Sequence, residues 1–173
     1  AVLIVAVAVR TGSTPLLGLL WALVAAGSCV GLPVWFVARG AAGGQWDTHH
    51  VRGRKDRLLP LSVAVASIVG GLAVLRFGGA PRQLVALVLA MLFFLVLVTA
   101  ITQLWKISIH AAVSAGTVAI LITTFGPWWW LGIGAVAAVS WSSYELGDHT
   151  PAQLAAGAAL GAATVGGMYA ILV

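Results

Sequence analysis

Residues 141–153, Trp-Ser-Ser-Tyr-Glu-Leu-Gly-Asp-His-Thr-Pro-Ala-Gln, set Glu145, Asp148 and His149 between two long apolar runs. His149 stands just before Thr150-Pro151, a cap followed by a first helical residue, so its imidazole is expected beside the free N–H groups at a helix start. Anions are favoured at such a place. A second histidine, His110, follows Lys106 and Ser108 at the head of another apolar run. Two imidazoles can share a displacement, one attacking and the other protonating a departing alkoxide, without a metal. Taken singly, each would more often be an interfacial hydrogen-bonding residue.

A third polar stretch, Gln45 to Arg57, holds Asp47, His49, His50, Arg52, Arg54, Lys55, Asp56 and Arg57. Its four cations within six residues suit phosphate oxygens, which arginine binds in bidentate fashion. A basic cluster touching anionic lipid headgroups would have the same composition.

The elements that must position these groups follow from composition. With 61% hydrophobic and 8% charged residues and a mean hydropathy of +1.08, the chain is excluded from the water-soluble globules. An all-α, polytopic transmembrane helical bundle is expected, forming one domain over residues 1–173. Since a spanning helix needs about 20 mostly apolar residues, six spans are expected: Pro15 to Ala38, Leu58 to Leu75, Pro81 to Leu104, Ile107 to Phe125, Pro127 to Ser142 and Pro151 to Val173. Ala1 to Val9 is too short to span and reads as the end of a further helix. Thr14-Pro15 repeats the cap and first-residue pattern, and Trp128, Trp129 and Trp130 read as an interfacial belt. Cys29, the lone cysteine, reads as a small core residue. Gly70-Gly71, Gly132-x-Gly134 and Gly157 to Gly161 read as close helix packing.

Six crossings sort the loops by parity. Gln45 to Arg57, Gln103 to His110 and Ser142 to Gln153 then share one membrane face, with all four acids and all four histidines, while Arg10, Arg76 and Arg82 lie opposite. Ionisable groups near a bilayer are costly and are kept for function, so this sorting predicts a polar site built from three junctions. A positive-inside count puts that face in the cytoplasm. Basic residues recruited to bind an anion would give the same bias, which leaves the orientation open. The excess of basic charge, in short loops at the membrane, does not suggest nucleic acid.

These motifs, in this order, resemble the type 2 phosphatidic acid phosphatase superfamily, in a bacterial branch with degenerate motifs. The family carries a lysine, six residues and Arg-Pro; then Pro-Ser-Gly-His; then Ser-Arg, five residues, His, three residues and Asp. Here Asp56-Arg57-Leu58 resembles the end of the first, with Arg57 in the arginine place and His50 in the lysine place. Ile107-Ser108-Ile109-His110 resembles the second. Ser142-Ser143, followed by His149 and Gln153, resembles the third, and Gly147 to Gln153 looks like the bacterial branch. The resemblance runs from Gln45 to the C-terminus.

The resemblance implies a membrane lipid phosphatase of a defined kind: a polyprenyl (di)phosphate or phosphatidic-acid-type phosphomonoester enters from the bilayer and is hydrolysed through a phosphohistidine. His149 would be the nucleophile and His110 the proton donor, with Gln153 orienting His149. Arg57, His50, Arg52, Arg54, Ser108, Lys106, Ser142 and Asp148 would surround the phosphate. No cofactor or metal is expected, and the setting implied is a bacterial plasma membrane. Three positions depart from the family: Ser143 replaces an arginine, Gln153 the orienting aspartate and His50 the lysine. A glutamine carbonyl accepts the His149 N–H but does not stabilise imidazolium as a carboxylate does. Two alternatives stand beside this one: a non-hydrolytic relative that binds or moves a lipid phosphate, and a metal-dependent enzyme using Asp47, His49, His50, His110, Asp148 and His149.

Overall fold

Helices at Pro15–Gly40, Leu59–Phe77, Arg82–Thr102 and Pro151–Leu172 are each long and apolar enough to cross a membrane. The computed structural model describes residues 1–42 and 54–173, with side chains for 1–40 and 59–173, and among these all regular structure is helical. Composition and helices together are those of an integral membrane protein. The four helices coincide with four of the six expected spans. The other two differ in kind. Ile109–Phe125 is a 17-residue apolar helix, rising about 25 Å against a hydrocarbon thickness of roughly 30 Å. The stretch expected to span from Pro127 to Ser142 is divided between a 3₁₀ turn and a 13-residue helix. Gly126, at φ 101°, ends the preceding helix, and Pro127 then opens the tight turn that holds the three tryptophans.

In chain order the elements are α1 (Val2–Thr11), α2 (Pro15–Ala26), a π turn (Gly27–Gly31), α3 (Leu32–Ala42), α4 (Arg54–Phe77) and α5 (Arg82–Thr102). There follow α6 (Ile109–Phe125), the 3₁₀ turn (Pro127–Gly132), α7 (Ile133–Glu145), α8 (Pro151–Gly161), a second π turn (Ala162–Gly167) and α9 (Met168–Leu172). Two compact units divide the chain, Ala1–Val88 and Leu89–Val173.

The first unit pairs α1 with α2 and sets α2, the π turn and α3 against α4. Thr14 Oγ1 accepts the Leu17 N–H at 3.2 Å, and Pro15 supplies the first residue. On α2 the buried residues are small, Gly18, Ala22 and Ala25, while Leu16, Leu20 and Leu23 are exposed. This inverse of a soluble helix lets backbones approach closely and turns bulky side chains toward lipid. Within the π turn the Ser28 carbonyl accepts the Ser67 hydroxyl of α4 at 2.7 Å. A hydroxyl in an apolar layer needs such a partner.

The second unit is built around α6, against which α7, α8 and the second π turn pack. The inner face of α6 carries Ala111, Ala112, Gly116, Val118 and Ile120. Facing it, Gly157 and Gly161 of α8 lie against the Ser108 and Ala112 carbonyls with no room for a Cβ. Farther along, Tyr169 is fully buried and its hydroxyl is 2.9 Å from Thr124 Oγ1.

Candidate functional site

Two of the three expected polar junctions come together within the second unit. The first element is the start of α6. Ser108 has an extended backbone (φ −79°, ψ 107°) and its Oγ accepts the Ala111 N–H at 3.3 Å, which satisfies one of the donors left free at a helix start. Ser108 is wholly buried, as is nearly all of Ile107, whereas His110, in the first turn, is exposed. The second element is the start of α8. Thr150 Oγ1 accepts the Gln153 N–H at 3.4 Å while Gln153 Oε1 accepts the Thr150 N–H at 3.0 Å, a reciprocal capping box. Pro151 takes the position where a missing N–H costs nothing.

A backbone hydrogen bond splices these helix starts: the Ser108 N–H donates to the Gln153 carbonyl at 3.3 Å. It forms because Gly157, one turn along α8, leaves space for the Ser108 carbonyl. A side chain adds a second tie, with Lys106 Nζ donating to the Asp148 carbonyl at 2.7 Å.

The turn between α7 and α8 has its own determinant. Gly147 is at φ 70°, the left-handed conformation that favours glycine. Its N–H donates to the Tyr144 carbonyl at 2.9 Å and the Asp148 N–H to the Ser143 carbonyl at 3.1 Å, the paired bonds of a Schellman helix end. Ser142, exposed in the last turn of α7, accepts the Leu146 N–H through its carbonyl. Asp148 is exposed and His149 half-buried. The Nδ1 atom of His149 is buried and has no hydrogen-bond partner among the described residues.

Beside this turn α7 and α8 border a groove of about 380 Å³ lined by Ala137, Ser140, Trp141, Tyr144, Pro151 and Leu154. Its walls are mostly apolar, and the Trp141 and Tyr144 rings lie 6.3 Å apart at 52°. Pro151, one of the lining residues, follows His149 by two positions in the chain.

The expected residues thus divide into groups. Lys106, Ser108, Asp148 and Gln153 are joined by the bonds above, and His110 and His149 flank them in sequence. Two of these residues are also bonded to backbone. Gln153 gives its side-chain oxygen to the Thr150 N–H, since closing the cap satisfies both groups at once, and no His149–Gln153 hydrogen bond occurs among the described residues. Ser108 is buried as a cap and splice, with both its Oγ and its N–H engaged, and so does not present a hydroxyl at the surface. Of the cationic stretch, His50 and Arg52 lie outside the described residues, as do Asp47 and His49; Arg54 and Arg57 lie on α4, in the first unit. Among the described residues no group of three His, Cys, Asp or Glu side chains is placed to hold a metal.

Sequence reasoning missed the Schellman end at Gly147 and the capping box, though Leu-Gly-Asp after α7 and Thr-x-x-Gln at α8 carry their signals. The Lys106 to Asp148 bond has no local signal, because 42 positions separate its partners. At the level of class, the fold and these junctions define a helical membrane protein with a histidine-bearing polar end in its second unit. No protein-family model, curated protein or solved structure matches the chain.

Proposed function

We propose that the chain is a membrane lipid phosphatase that hydrolyses a polyprenyl (di)phosphate or a phosphatidic-acid-type phosphomonoester through a phosphohistidine. The observation that carries this reading is the splice between the helix starts that bear His110 and His149. The apolar groove between α7 and α8, lined in part by Pro151 two residues after His149, supports it, because a lipid chain needs an apolar track to reach a polar centre.

In this mechanism His149 attacks phosphorus through Nε2, its Nδ1 being buried. The bond from phosphorus to the leaving oxygen breaks, and His110 protonates the group that departs, a lipid alkoxide from a monoester or a lipid monophosphate from a diphosphate. Water then attacks the phosphohistidine, His110 takes its proton, and inorganic phosphate leaves as His149 is restored. The same reading takes the membrane topology as six crossings, with α6 and the Pro127 to Ser142 stretch completing the count, in a bacterial plasma membrane.

A specific observation favours a second reading, a non-hydrolytic relative that binds or moves a lipid phosphate. Gln153 is committed to its cap, so no described acceptor orients the His149 imidazole. Phosphate release from a panel of polyprenyl monophosphates, polyprenyl diphosphates and phosphatidic acid, in detergent with EDTA, decides between them. The phosphatase reading predicts release on one substrate class. Saturable binding of the same lipids without release supports the second reading.

A further inference from the structure

We propose that Lys106 is a positioning residue, which holds His149 in place through the Asp148 carbonyl instead of gripping phosphate itself. The inference rests on the phosphatase reading for its catalytic consequence, but its structural content stands alone.

The segment from Leu146 to Thr150 is bonded backward to α7 and forward to α8. Leu146, Gly147 and Asp148 donate to carbonyls of α7, and Thr150 donates to Gln153. Among the described residues, the hydrogen bond that reaches this segment from a third element is the one from Lys106, in the loop between α5 and α6. It lands on the peptide group joining Asp148 to His149. A rotation of that peptide would swing the imidazole, whose Nδ1 has no described partner of its own to resist the motion. Backbone bonding within the turn fixes Gly147 and Asp148, and Lys106 fixes the next peptide.

Lys106 is suited to this because Ile107 and Ser108, the residues that follow it, are buried and Ser108 is spliced to α8. The root of the long side chain is therefore anchored although its end is exposed. A lysine ammonium has three donors and the Asp148 carbonyl uses one, so phosphate binding by the other two is the rival assignment. The two assignments differ in what they do to His149 before substrate arrives.

The test is the rate at which diethyl pyrocarbonate modifies His149 in the full-length chain in detergent, followed by peptide mass spectrometry, with exposed His110 as the internal reference. Lys106→Met is expected to raise the His149 rate about threefold or more while His110 stays constant, and Lys106→Arg, which keeps a long cationic donor, is expected to restore it. An unchanged His149 rate in Lys106→Met overturns the proposal. So does an equal rise at both histidines, which would show general loosening. Where the wild type turns over, Lys106→Met should lower kcat with KM nearly unchanged, and a raised KM with kcat intact contradicts positioning. Absence of turnover in the wild type would sink the phosphatase reading and leave the modification rates to decide this one.

Discussion

The N–H of Ser108 donates to the carbonyl of Gln153 across 3.3 Å, joining the start of α6 directly to the first turn of α8. Backbone rarely meets backbone between helices unless side chains are absent at the crossing. Here the absent side chains are those of Gly157 and Gly161, which face the Ser108 and Ala112 carbonyls. Glycine packing is therefore upstream of the site's geometry.

Replacing these glycines tests that dependence. Gly161→Ala and Gly157→Ala would each drive a Cβ into a carbonyl of α6, and overpacking of this kind costs about 1–3 kcal/mol. Gly134→Ala, with nothing within 4 Å of the added carbon, is the control. Thermal unfolding in detergent should show a lowered midpoint for the first two variants and little change for the third. Gly157→Ala should also lose turnover, because it parts the two histidine-bearing starts.

Gly147 sets the turn that delivers His149. An L side chain at its φ of 70° costs about 1–2 kcal/mol, and asparagine tolerates this conformation better than alanine does. Gly147→Ala is expected to destabilise the chain and lower kcat, with Gly147→Asn intermediate. Equal behaviour of alanine, asparagine and wild type would show that the turn tolerates other conformations.

Gln153 separates capping from histidine orientation. Gln153→Glu keeps an oxygen for the Thr150 N–H and should preserve stability, whereas Gln153→Ala should lose about 0.5–1.5 kcal/mol, the worth of a typical hydrogen bond. If the cap is its whole role, kcat in Gln153→Ala falls by less than about tenfold. Removing the orienting carboxylate of a serine-protease triad costs about four orders of magnitude in kcat. A loss of that size would return the orienting role to Gln153.

Trp141 tests the groove. Trp141→Ala removes the largest side chain of its lining and should raise KM for long-chain lipid phosphates severalfold. A short, water-soluble phosphomonoester should be turned over unchanged. A matching effect on both substrates would place the role of Trp141 in the fold and not in chain recognition.

Much of this architecture was legible in the residues, for identifiable reasons. Long apolar runs marked the four helices that can span, and Thr14-Pro15 and Thr150-Pro151 begin helices as their chemistry requires. Apolar content alone did not disclose the 3₁₀ turn at Pro127–Gly132, since a tight turn and a span share it; Gly126 carried the conformational signal. In the site, histidines at helix starts were visible as local patterns. The backbone bonds of Gln153 and Ser108 were not legible, because each side chain can serve either a ligand or its own backbone, and the arrangement depends on α6 and α8 meeting at Gly157.

The central claim is that phosphorus passes through His149, and trapping the intermediate tests it most directly. A lipid phosphate carrying a radiolabelled phosphoryl group would be mixed with the protein, quenched in alkali, where phosphohistidine survives, and the labelled peptide identified. The mechanism predicts label on His149 in the wild type, none in His149→Ala, and no phosphate release by that variant. Phosphate release by His149→Ala at the wild-type rate, or label on another residue, would contradict it.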